Sequence, residues 1–341
     1  MKQVPRIFLL LLPLLLLVAG CSNLPMEETR SLMGTQVIIT VQDYDRDRLN
    51  SEQAETVIDR AFEEINRIEN LCRWRQLKKL NSWAGFQPSA VGSELIALID
   101  HAYLLAEDTG GAFRPDLGPL TRLWSVGTDS ARIPVYWEIE EAQDIIRQTE
   151  FTVIDTSMAR LDPSGAALDL GGVAKGYAVD RACEVLKQHG ITAAMVWAGG
   201  DLKVFGDKPD GEPWRIAVRH PRNPEEFAAV LELHEDVAVA TSGDYERYFE
   251  IDGGRYHHII DPETGYPGIN SISATVVTEN CVDADAYATA LFIIGPEQGL
   301  LLAESFGLAA MIMNEKGGEI DEVQTGSFRR LRAANEAAVA Q

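Results

Sequence analysis

Short, β-branched strand candidates crowd the second half of the chain, and turns rather than helices join most of them. Ala193–Trp197, Trp214–Arg219, Val230–Leu233 and Val237–Thr241 are strands by pattern, and turn-rich stretches such as Asp207–Pro213 separate them. Strands joined this way pair antiparallel, because a parallel pair needs a long crossover. Arg255–Ile260, Ser271–Thr278 and Ala309–Met313 extend the series. Helical periodicity lies around them: Ser51–Leu71, capped by Asn50 or Ser51, then Ser93–Thr109, Glu138–Gln148, Val173–Gln188, Asp283–Phe292 and Pro296–Phe306. An early strand, Gln36–Val41, follows Met33-Gly34-Thr35. The segment Gly111–Leu120, with its prolines and glycines, cannot be a regular element and reads as a binding loop. The expectation is one α+β catalytic body with mostly antiparallel or mixed sheets flanked by helices.

The N-terminus is an address. Lys2 and Arg6 precede an apolar run, Ile7–Val18, too short for a comfortable span but suited to a signal core. Val18-Ala19-Gly20-Cys21 resembles a bacterial lipobox, which makes Cys21 the lipidated first residue of an exported, membrane-anchored protein. This divides the chain into a signal peptide (1–20), a polar tether (21–30), a catalytic domain (31–330) and a tail (331–341). The formal charge of −22 makes the surface a poor partner for nucleic acid. Cys72, Cys183 and Cys281 have no zinc spacing and are expected to be mostly buried thiols, although export permits one disulfide.

Ala167–Asp180 reads as a buried strand ending in Asp169, a Gly171-Gly172 turn and a helix with Lys175 in its first turn. Helix-start N–H groups and a lysine suit an anion, although the same unit serves plain packing. Asp283, Asp285 and Thr289 offer hard oxygens, with Asp285 and Thr289 on one helix face. They either hold Mg²⁺ or decorate the helix start. Thr241–Arg247 is a ligand loop or a turn. His257-His258, before Asp261-Pro262, offers a general base or a hydrogen-bonded strand end. No G-x-S-x-G, H-E-x-x-H, Walker A or dinucleotide fingerprint is present.

Seven collinear motifs resemble the bacterial FAD:protein FMN transferases, the ApbE family. They are M-G-T (33–35), G-A-F-R-P-D-L-G-P-L (111–120), L-D-L-G-G-V-A-K-G-Y-A-V-D (168–180), A-G-G-D (198–201), T-S-G-D-Y-E-R (241–247), H-I-I-D-P-E-T-G (258–265) and A-D-A-Y-A-T-A-L-F from Ala284. The resemblance implies a T-fold-like enzyme that binds FAD as substrate and moves its FMN half onto a threonine hydroxyl of a partner protein, releasing AMP. Implied acceptors are exported flavoproteins of the Nqr and Rnf type; some relatives hydrolyse FAD to FMN and AMP instead. A lipid-anchored protein that holds FAD without turnover is the reading from another class.

By position, the resemblance assigns FAD contacts to Met33, Trp74, Ala112, Phe113, Arg114, Asp169, Lys175 and Ile259. It assigns Mg²⁺ to the Gly172 carbonyl, Asp285 and Thr289, and catalysis to His258. Three positions depart from the family pattern. Trp74 stands in place of tyrosine, Arg114 in place of the aspartate of A-F-D-P, and Trp197 in place of the asparagine before A-G-G-D.

Overall fold

The computed structural model describes residues 25–73, 76–234 and 236–333. The signal peptide, Cys21 and Trp74 lie outside them. In chain order the elements are β1 (Met26–Leu32), β2 (Thr35–Tyr44), α1 (Ser51–Arg73), α2 (Gln76–Ser82), β3 (Ser89–Ala90), α3 (Ser93–Asp108), α4 (Gly118–Trp124), α5 (Tyr136–Arg147), β4 (Glu150–Asp155) and β5 (Met158–Asp162). Then follow α6 (Ala174–Gln188), β6 (Ile191–Ala198), β7 (Asp201–Phe205), β8 (Trp214–Arg219), β9 (Phe227–Leu233), β10 (Val237–Gly243), β11 (Tyr248–Ile251) and β12 (Gly254–His257). The chain closes with β13 (Ser273–Thr278), α7 (Cys281–Ile294), α8 (Pro296–Ser305), β14 (Ala309–Lys316), β15 (Glu319–Gln324) and α9 (Gly326–Leu331).

One eight-stranded sheet, in the order β1-β2-β6-β7-β10-β13-β14-β15, organises the body. Every one of its pairings is antiparallel. Period-two alternation sends its two faces into different cores. From β6, Ala194, Val196 and Ala198 join the helices, whereas Ala193 packs on the other side beneath the β8–β9 hairpin. The helical side, built on α1, α3, α6 and α7, is the larger core. Asn50 caps α1: its Oδ1 accepts from Gln53 N at 2.9 Å, and Gln53 Oε1 accepts from Asn50 N.

Three expectations need correction. The tether does not run to residue 30, because Met26–Leu32 is an edge strand that pairs with β2. Its alternating polar sequence fits a strand with one face to solvent. Ala167–Asp169 is extended but belongs to no sheet; Gly118 N donates to Ala167 O and Asp169 N to Pro115 O, so the 111–120 segment holds it instead. That segment is not wholly irregular either, because Pro119 sits in the first turn of the short helix α4, where its missing N–H costs nothing. Cys72, Cys183 and Cys281 are buried free thiols, as expected. No helix among the described residues is long and apolar enough to cross a membrane.

Candidate active site

Two helices and one strand build the centre. Gly176 lets α6 and α7 touch: a Cβ there would stand 2.2 Å from Cys281 O and 2.7 Å from Val282 Cα. This contact brings the first turn of α6 beside Asp285 of α7, whose Oδ2 accepts from Gly176 N at 3.3 Å. Lys175 Nζ donates to both carboxylate oxygens of Asp285 at 3.2 Å and also to Asp201 Oδ2. Both carboxylates are buried.

Asp201 comes from β7, where alternation turns Asp201 and Lys203 toward α6, while Leu202 and Val204 face the opposite core. A second ion pair forms one step along: Lys203 Nζ donates to Asp180 Oδ1 at 2.8 Å. The spacing matches, because five helical residues rise about 7.5 Å and two strand residues span about 6.8 Å. Asp180 also accepts from Cys281 N at 3.0 Å and Val282 N at 2.9 Å, satisfying free amides at the α7 start. So the last residue of the 167–180 stretch fixes the helix that carries Asp285.

The electrostatics follow from burial and crowding. Burial pushes the Asp201 carboxyl up to about 7; the Asp285 charge adds to this, and Lys175 opposes it. Burial also opposes charge on Lys175, but Asp201 and Asp285 outweigh it and hold the ammonium above its ordinary range. On α7, Thr289 Oγ1 donates to Asp285 O at 3.1 Å, leaving its lone pairs to Ser242 Oγ, 3.2 Å away, or to a cation. The position of a Gly172 Cβ would lie 3.6 Å from Thr289 Oγ1 and 3.0 Å from Phe113 Cε2, so Gly172, Phe113 and Thr289 are neighbours. The buried Asp285 carboxylate, the Thr289 hydroxyl one turn along the same helix and the Gly171-Gly172 turn next to that hydroxyl offer hard oxygens, which suits a small divalent cation. No group of three or more His, Cys, Asp or Glu among the described residues has metal-holding geometry.

His258 enters from the other side. A satellite cluster on Leu120, Trp124, Ile139 and Ile260 anchors the loop after β12. Trp124 Nε1 donates to Gly265 O at 2.8 Å, and Gln143 Nε2 donates to Glu263 O at 2.7 Å. The His257 ring donates from Nε2 to Gly268 O at 2.8 Å, so its Nδ1 accepts from Ile259 N. Ile259 is buried behind them. His258 Nδ1 donates to Arg247 O at 3.3 Å, because a carbonyl only accepts, and this leaves Nε2 with a lone pair. Burial above all, with the Arg247, His257 and Lys175 charges and against the hydrogen bond to Arg247 O, lowers this imidazole to about 3.

The remaining residues singled out from the sequence are placed as follows. Asp169 Oδ1 accepts from Gly171 N at 2.9 Å and shapes the Gly-Gly turn. Arg114 is committed to Asp116 through two bonds of 2.8 Å, and Ala112 lies half-buried beside Phe113. Asp116 is buried, so Arg114 neutralises a carboxylate inside its own loop. Met33 and Gly34, with φ of 57° and 73°, form the two-residue β1–β2 turn, and Met33 N donates to Glu69. That turn abuts the Gly199-Gly200 turn that precedes Asp201: a Cβ on Gly199 would stand 2.5 Å from Thr35 Oγ1. Sequence reasoning missed Lys203, and it reached Asp201 and Ser242 only as members of the 198–201 and 241–247 segments, with no role assigned. The charged positions of D-L-K-V-F were the available signal.

The chain matches the ApbE family over residues 33–312. It belongs to the ApbE family. A relative from Vibrio cholerae named FAD:protein FMN transferase is 34% identical over 331 residues, covering 95% of this chain and 98% of its own. One of the same name from Treponema pallidum is 36% identical over 245 residues, covering 67% and 68%. The solved ApbE protein of Thermotoga maritima superposes with a TM-score of 0.82 at 33% identity, covering 91% of this chain and all of that one. The Pseudomonas stutzeri flavinyl transferase ApbE, in its apo form, gives 0.77 at 30% identity, covering 91% and 98%. The ApbE fold is therefore the α+β body expected from the sequence, and motif segments 168–180, 198–201, 241–247 and the run from Ala284 meet at the Lys175 centre.

Proposed function

We propose that this chain transfers the FMN half of FAD to a threonine hydroxyl of a partner protein and releases AMP. The observation that carries the reading is the meeting of Lys175, Asp285 and Thr289 in an ApbE-family fold, with the His258 ring turned by its bond to Arg247 O. Met33, Ala112, Phe113, Arg114, Asp169, Lys175 and Ile259, with Trp74 outside the described residues, are the proposed FAD contacts. Mg²⁺ is the proposed cation, held by Asp285, Thr289 and the Gly172 carbonyl. When bound it would neutralise charge on the diphosphate oxygens.

The rest falls to the chain's own groups. Lys175 offers its ammonium to a phosphate oxygen, where charge builds as the bond to AMP breaks. The threonine oxygen attacks the FMN-side phosphorus, and its proton passes to Nε2 of His258, which is unprotonated at neutral pH. The bond from that phosphorus to the bridging oxygen breaks, and the oxygen leaves with AMP. Arg247 O holds the ring in the required tautomer. The proposed setting is outside the cytoplasm, with lipid on Cys21 as the anchor and an exported flavoprotein of the Nqr or Rnf type as the acceptor.

Incubating the protein with FAD, Mg²⁺ and a candidate acceptor tests this, with AMP read by chromatography and the acceptor by intact mass. AMP plus an FMN adduct on a threonine is the expected result. AMP with no adduct, and free FMN in its place, identifies an FAD pyrophosphatase. No AMP removes both enzyme readings and leaves a flavin-binding protein.

A further inference from the structure

Lys175 stands where a cation on Asp285 would have to stand. Its Nζ is 3.2 Å from Oδ1 and 3.2 Å from Oδ2, astride the open edge of the carboxylate. Gly176 N takes a further lone pair of Oδ2, and the residue is otherwise buried. An ammonium and a divalent cation cannot share that edge, because like charges at contact distance in a buried site repel strongly. The lysine already has a second partner: Nζ also donates to Asp201 Oδ2, on a strand that does not carry Asp285. Three N–H donors on a flexible stem let Lys175 give up one carboxylate and keep the other by rotation alone.

We propose that Lys175 is a built-in counter-ion that closes the cation site on Asp285, and that Asp201 is the positioning residue that receives it when a divalent cation arrives. The proposal rests on the cation reading given above and deepens it. Asp201 then does two things. It keeps the lysine from leaving for solvent, and it stops the ammonium from pairing with Asp285 alone. A diphosphate would help the same step, because its oxygens are further acceptors for the displaced ammonium. Cation and diphosphate therefore assist each other's binding through this one side chain, as any linkage between two sites requires.

The test uses Mn²⁺ alone, titrated into the full-length folded protein without nucleotide, with free Mn²⁺ read by electron paramagnetic resonance. Lys175→Met should bind Mn²⁺ about tenfold more tightly than wild type, and Asp201→Asn about tenfold more weakly, as unit charges near a buried site imply. The deciding measurement is the double variant. If Asp201 acts through Lys175, Asp201→Asn should change the affinity of Lys175→Met by less than about twofold. If the two effects simply add, Asp201 is only a nearby charge and the proposal is overturned. Unchanged affinity in Lys175→Met also overturns it, and Lys175→Gln repeats the measurement if the methionine variant fails to fold. Mn²⁺ binding by no variant removes the cation site as well. AMP release is not read here, so a failure of the counter-ion device stays separate from a failure of the transferase reading.

Discussion

Gly176→Ala puts the α6–α7 contact to the test. The new Cβ would fall 2.2 Å from Cys281 O, 2.5 Å from Cys281 C and 2.7 Å from Val282 Cα, and an ordinary contact begins near 3.4 Å. The helices must part by about 1 Å, and the obstacle is backbone that no rotamer can clear. Asp180 makes relief harder, because it binds the amides of Cys281 and Val282. Overpacking costs about 1–3 kcal/mol, and a backbone clash belongs at the top of that range. The gain in helix propensity from glycine to alanine returns about 1 kcal/mol. The expected net loss is about 2 kcal/mol, measured as a lower urea midpoint with an unchanged slope.

The same parting would stretch the 3.3 Å bond from Gly176 N to Asp285 and the 3.2 Å bonds from Lys175 past hydrogen-bonding range. Turnover of FAD should therefore fall at temperatures where the variant is fully folded. Gly326→Ala is the control, since the nearest atom to its Cβ would be Arg330 Nη1 at 3.8 Å, well away from the centre. Wild-type stability and turnover in Gly176→Ala would refute the claim that this contact sets the site.

Three further outcomes follow from the charges. Lys203→Met strips Asp180 of its buried cation and should cost about 3–5 kcal/mol by chemical denaturation, whereas Lys203→Met with Asp180→Asn, which removes the unpaired charge and keeps an acceptor for the α7 amides, should recover part of that loss. His101 Nε2 pairs with Asp283 Oδ1 at 2.6 Å, and this hydrogen bond, against opposing burial, raises the imidazole above its ordinary value. Its contribution is therefore full below the unfolded-state value near 6.5 and fades as pH rises through the folded one, so His101→Ala should destabilise more at pH 5.5 than at pH 9 in thermal melts. His258 runs the other way: burial lowers it to about 3, so its neutral form should persist in nitrogen NMR spectra at pH 5, and its contribution to stability is lost as pH falls below about 6.5.

The sequence disclosed the helices and most of the main sheet because their apolar positions obey periods of 3.6 and 2. It concealed what depends on partners. Asp201-Leu202-Lys203-Val204-Phe205 has the pattern of a strand with a polar face to water. In the fold that face points inward, because α6 supplies Lys175 and Asp180 at matching spacing. No local pattern could announce partners more than twenty residues away. Arg114 was legible as a charge in the 111–120 loop, but only the buried Asp116 shows where that charge is spent. Residues 26–30 of the polar strand β1 look like tether in the sequence because an edge strand owes its order to its neighbour.

The centre is also a product of distant closures. Lys175 meets Asp285 across 110 residues, Asp180 holds Cys281 across 101, and Trp124 reaches Gly265 across 141. Contacts of such sequence separation form late, because each pays its loop-closure entropy before it is rewarded. A chain ending before α7 lacks Asp285 and Thr289 and so cannot assemble the Lys175 centre. The centre is complete only where α7, which carries Asp285 and Thr289, packs against α6.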